Sequence, residues 1–206
     1  MYWQKKQIDY EILIPPIDKP IAEFNEDETD NYFNWFIEKI PERLDYLKFR
    51  CSKDLGIQEN LIDLSPESLI IIWDWFLKIV EIEDNPNYNP GMFVSISNKQ
   101  LTLESEYIIR DIAMYVGETF IKNVNGIKWS YNKPPVMDVN DNMPLLSGFI
   151  FKNCKPLIKT TQKIKNFQEV FEPISMVRVQ ALKILDNIQS RNDLYNLYLI
   201  WLELNS

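Results

Sequence analysis

The sequence predicts an α+β fold, mainly helical with a small antiparallel sheet. Three observations lead there. Apolar residues recur at helical spacing in five to seven stretches, the period shifts toward two between Ile127 and Phe151, and clusters of Pro, Gly and Asn separate the stretches. With 206 residues, 46% of them hydrophobic and 25% charged, the chain reads as one domain, 1–206. A chain of that length buries enough surface for a core without disulfides or metals.

The first 24 residues read as extended and turn-rich. Tyr10-Glu-Ile-Leu-Ile14 has strand character, and Pro15-Pro16 stops it. The acidic run Glu26-Asp-Glu-Thr-Asp30 opens a helix, because carboxylates favour the positive end of the dipole and Thr29 or Asp30 can cap it. Tyr32, Phe33, Trp35, Phe36, Ile37 and Ile40 follow. Pro41 interrupts them, which predicts two helices or one kinked helix, and Leu44, Leu47 and Cys51 resume the spacing up to a cap at Gly56.

Ser65-Pro66-Glu67 starts the next helix, which should run to about Glu83, and Asn85–Gly91 is a loop. Met92–Ser97 reads as a short strand. Thr102 caps a helix from Leu103 to Asn123, with Ile109, Ile112, Val116 and Phe120 as its core stripe and Gly126 at its exit. Segments 127–131, 136–139 and 145–151 form a small antiparallel meander, and a basic stretch covers Lys152–Lys165. Pro173 begins a helix through Ile188, and a last helix spans Arg191–Leu204.

Composition excludes several function classes. The sequence has no histidine, so Ser-His-Asp and Cys-His catalysis, His-ligated metals and His-based pH switching are all ruled out. A net charge of −8 disfavours nucleic acid, whose phosphates require clustered cations. The five glycines never cluster, so phosphate-cradling loops are absent, as is a Gly-x-Ser-x-Gly nucleophile elbow. Cys51 and Cys154 read as free thiols, and no cofactor is expected. Asp138-Val-Asn140-Asp-Asn142 mimics a calcium loop, but Met143 and Phe149 stand where that loop needs Gly and Glu, so it reads as a plain turn. The N-terminus carries no apolar signal region, and the longest apolar run, Leu69–Ile82, includes Asp74 and Lys78 and cannot span a bilayer. The expected location is the cytoplasm.

Charge is unevenly placed. Residues 1–30 carry a net −5, residues 54–90 a net −7 and residues 151–183 a net +5. Acidic stretches interleaved with aromatics suit a basic protein partner, with Glu26, Asp27, Glu28, Asp30, Glu81, Glu83, Asp84, Asp111 and Glu118 as candidate contacts. Asp111 and Glu118, seven residues apart on one helix with Glu104 seven further back, face the same way. That spacing fits either a solvated polar stripe or a carboxylate pair for general acid–base work. Two helices are apolar nearly all round. Leu69–Glu83 reads as central in the fold, whereas 194–204 at the end of the chain is a candidate homodimer interface.

Asp111-Ile-Ala-Met-Tyr-Val-Gly-Glu118, followed by Asn125-Gly126 and Lys128-Trp129, resembles a helix-to-strand element of several small uncharacterised bacterial families. Asn31-Tyr-Phe-Asn-Trp-Phe36 with Pro41-Glu-Arg43 adds to it, and richness in Ile, Asn and Lys fits an AT-rich bacterial gene. Some of those families include immunity-like proteins of toxin systems. The resemblance implies a non-enzymatic binding module that masks a toxin. Physically, Gly117 lets another element approach the helix closely, and Trp129 anchors the first strand on its apolar face. The alternative is an enzyme using Asp111 and Glu118.

Overall fold

A computed structural model describes residues 10–88, 97–132, 142–152 and 166–205. Its helices are α1 (Glu26–Leu55), α2 (Ser68–Ile79), α3 (Leu103–Asn123), α4 (Pro173–Leu182) and α5 (Asp193–Leu204). Strands β1 (Ile82–Asp84) and β2 (Lys99–Leu101) form an antiparallel pair. Strands β3 (Lys128–Ser130), β4 (Leu145–Lys152) and β5 (Asn166–Phe171) form an antiparallel sheet in the order β3-β4-β5. The fold is α+β and mainly helical, as expected.

Helix α3 is the hub. It packs against α1 on one side and α4 on another, and Ile109, Ile112, Val116 and Phe120 are all buried, as their spacing predicts. Phe120 meets Phe149 of β4, Phe171 of β5 and Tyr198 of α5 at 4.7–5.3 Å between ring centres, so one aromatic cluster fastens the sheet to the helices. Helix α2 is central, with Leu69, Ile72, Trp73, Trp75 and Phe76 buried.

Several boundaries differ from expectation. Helix α1 is one helix that runs through Pro41, whose ring sits on the exposed side while Phe36, Ile40, Leu44 and Leu47 bury the opposite face. Its cap is Asn25 in a reciprocal box with Glu28, rather than Thr29 or Asp30. Helix α2 ends at Ile79, and residues 82–84 leave it to pair with 99–101. Ser65 closes the turn before α2, and the helix itself begins at Ser68. Strand β5 follows the basic stretch, at residues for which no strand was expected, and α4 stops at Leu182 in a short 3₁₀ turn. Residues 10–14 form no regular element and join no strand among the described residues. The expected strand 92–97 falls mainly on undescribed residues, and segment 136–139, Cys154 and most of the turn at 138–142 lie wholly outside the described ones.

Candidate functional site

The two carboxylates of α3 have separate surroundings. Asp111 is 1% exposed, which removes it from the solvated stripe and from any partner-contact surface. Arg43 of α1 donates to its Oδ2 from Nη2 at 2.6 Å and from Nε at 3.1 Å, and the Tyr10 hydroxyl donates to the same oxygen at 2.7 Å. Burial pushes the Asp111 carboxyl above its ordinary range, while the Arg43 and Tyr10 hydrogen bonds oppose that. Glu118 is half-buried and accepts from the Trp129 indole Nε1 at 2.8 Å. Seven residues of helix separate the two by about 10 Å along the axis. Among the described residues each therefore has a different neighbour.

The Trp129 seat follows the sequence expectation. A Cβ added at Gly117 would lie 2.2 Å from the indole Cζ2, so only glycine admits the ring against the helix. Phe36 of α1 packs edge-on to the same indole at 5.2 Å.

The remaining acids lie apart along the surface, and several already have partners. Glu26 and Asp27 are exposed in the first turn of α1. Glu28 closes the capping box and pairs with Lys19 at 2.6 Å, and the two contacts hold its carboxyl below the ordinary value. Asp30 accepts from the Tyr131 hydroxyl at 2.7 Å. Glu83 accepts from Gln100, and Asp84 pairs with Lys99 across the β1–β2 ladder. Glu81 is half-buried where β1 approaches the start of α3. At that corner Ile82 is 47% exposed and Leu103 63%, so apolar side chains stand among Glu81, Glu83, Asp84 and Glu104. On α5, Leu194, Leu197 and Tyr198 are buried while Leu199, Ile200, Leu202 and Leu204 are exposed.

Sequence reading missed a cleft of about 790 Å³ beneath the segment 14–24, where Phe24, Tyr32, Tyr107 and Arg110 line its wall. Side chains of α1 and α3 fasten the backbone just before that segment, at residues 11 and 13. Arg43 donates to the Glu11 carbonyl, Arg110 to the Leu13 carbonyl, and the Tyr46 hydroxyl accepts from the Glu11 amide. The usable signal was Pro15-Pro16 and Pro20, which hold a chain extended and deny it a ladder. No cluster of three or more metal-ligating side chains occurs among the described residues, and no described helix is long and apolar enough to cross a membrane.

No family model matches the chain, and neither a curated protein nor a solved structure matches it.

Proposed function

We propose that this protein is a non-catalytic binding module of the immunity type, which neutralises a toxin or another basic protein by masking it. The observation that carries the reading is the corner where β1 and β2 meet α3. Exposed Ile82 and Leu103 stand there among four acidic residues on a chain of net charge −8. Apolar anchors inside a charged rim are what a steered protein contact uses. The acids at Glu26–Asp30 form a second candidate stretch. The carboxylate enzyme loses support, because Asp111 is ion-paired to Arg43 and Glu118 holds an indole.

The test is co-expression with the product of the neighbouring gene, followed by stopped-flow association with that product. Protection of the host is the expected outcome, with an on-rate that falls as salt rises through the range where the screening length is about 8 Å. Paired charge reversal, Glu83→Lys with Asp84→Lys, should slow association more than it speeds dissociation. An on-rate indifferent to salt removes the electrostatic part. A catalytic turnover abolished by both Asp111→Asn and Glu118→Gln replaces the reading with the enzyme.

The exposed face of α5 supports a second association, in which residues 194–204 pair two copies about a twofold axis. Light scattering that gives a monomer at concentrations on the order of tens of micromolar would remove it.

A further inference from the structure

Two residues that line the cleft under residues 14–24, Tyr32 and Arg110, keep hydrogen-bonding capacity that the described residues do not use. Tyr32 is 1% exposed, and its hydroxyl has no hydrogen-bond partner among the described residues. A buried hydroxyl left unpaired is costly, and such exceptions call for an explanation. Arg110, which lines the same cleft, has no ion-pair partner among the described residues. One N–H bonds the Leu13 carbonyl at 3.1 Å, and the guanidinium lies 5.1 Å from the Tyr107 ring centre. Backbone and ring together hold the group in place, and its remaining donors have no protein acceptor among the described residues.

The other charges of the cleft set the valence of its ligand. Lys19 is neutralised by Glu28 at 2.6 Å, and Asp18 also lines the cleft. One cation without an ion pair among the described residues therefore shares with Asp18 a lining of three isoleucines, two prolines, two tyrosines and Phe24, within a volume in the range of small-molecule sites. A planar guanidinium fork matches the two oxygens of a carboxylate. A doubly charged phosphate ester would meet Asp18 with one free cation to offset it.

We infer that this cleft binds a small monocarboxylate with an apolar body, held by Arg110 at its carboxylate and completed by the Tyr32 hydroxyl as a second donor. The protein-masking surface at the β1–β2 corner plays no part in this site, so either can fail without the other.

The experiment titrates the full chain with three probe carboxylates, benzoate, 4-phenylbutyrate and octanoate, following thermal midpoint and amide chemical shifts. Benzyl alcohol and phenyl phosphate serve as the neutral and dianionic controls. The expected result is that at least one carboxylate raises the midpoint and shifts the Tyr107–Arg110 amides, whereas benzyl alcohol does neither. Tyr32→Phe should leave the free protein at least as stable as before, since it deletes a buried hydroxyl that has no partner among the described residues, and weaken the carboxylate about tenfold. Arg110→Gln should weaken it by about tenfold or more. Carboxylates that bind no better than benzyl alcohol, or equally well to both variants, overturn the inference. Tighter binding of phenyl phosphate than of every carboxylate overturns the assigned ligand class.

Discussion

Asp111 and Glu118 share a helix, a charge sign and a heptad spacing, yet they end in opposite situations. Asp111 is sealed between helices and answered by a cation; Glu118 lies half in solvent and is answered by a neutral indole. The difference comes from what arrives opposite each one. Arg43 reaches Asp111 from α1, 68 residues earlier, while Trp129 reaches Glu118 from the strand that follows the helix, 11 residues later. One position joins distant parts of the chain through paired charge, and the other joins neighbouring elements through shape. Spacing along a helix tells which residues share a face; the partner decides what that face does.

The largest expected effect breaks the Asp111 end. Asp111→Asn keeps an acceptor but leaves the Arg43 guanidinium buried without its counter-charge, which should cost about 3–5 kcal/mol in urea unfolding. Removing both charges, Arg43→Met with Asp111→Leu, should recover most of that loss, because two desolvation costs disappear together. A double variant as unstable as the single one would show that the pair contributes more than its mutual neutralisation.

The same cluster should carry an alkaline signature that the Glu118 end lacks. Burial and the charge of Asp111 hold the Tyr10 hydroxyl well above its ordinary value of about 10. The folded chain thus keeps a proton that the unfolded chain loses. Stability from this group is fully present below pH ~10 and falls as pH rises from there toward the folded value. Urea midpoints across alkaline pH should decline less steeply in Tyr10→Phe than in wild type, while Trp129→Phe should keep the wild-type slope. Equal slopes in all three would place the alkaline loss in other tyrosines.

Much of this helix was legible in the sequence, and the reasons separate cleanly. The stripe Ile109, Ile112, Val116 and Phe120 is a local periodic signal, so its burial could be read directly, as could the Thr102 cap. Gly117 beside Trp129 was readable because both elements are close in sequence. Asp111 was misplaced because nothing near it announces Arg43. The end of α2 was overrun for a related reason: Ile82 continues the helical spacing, and pairing with Lys99–Leu101 withdraws it into β1. The cleft was invisible because the Tyr32 hydroxyl and Arg110 are remarkable only for the partners they lack.

A smaller effect, with a change of sign, probes the shape-based end. Gly117→Ala gains about 1 kcal/mol of helix propensity, but its methyl must displace the indole, and overpacking costs about 1–3 kcal/mol. The net should be a loss of roughly 1–2 kcal/mol, with the indole hydrogen bond to Glu118 broken. In a Trp129→Ala background the obstacle is gone, so the same Gly117→Ala change should stabilise the protein by about 1 kcal/mol. A double-mutant cycle measures this directly. The same sign in both backgrounds would mean that the glycine does not serve the tryptophan.

The smallest effect is expected at Glu118 itself. The indole Nε1 needs an acceptor and nothing more, and a glutamine carbonyl supplies one in the place of the carboxylate oxygen. Glu118→Gln should therefore change the unfolding free energy by less than about 0.5 kcal/mol, the ordinary range for a substitution that strands no buried group. Trp129→Phe deletes the donor instead and costs about 1 kcal/mol for the hydrogen bond, beyond any loss from the smaller ring. Combining the two should cost no more than Trp129→Phe alone, since the amide then has no donor to serve. If Glu118→Gln approached the several kcal/mol expected for Asp111→Asn, the charge of Glu118 would be answered by a cation after all, and the two ends of the helix would be built on one principle.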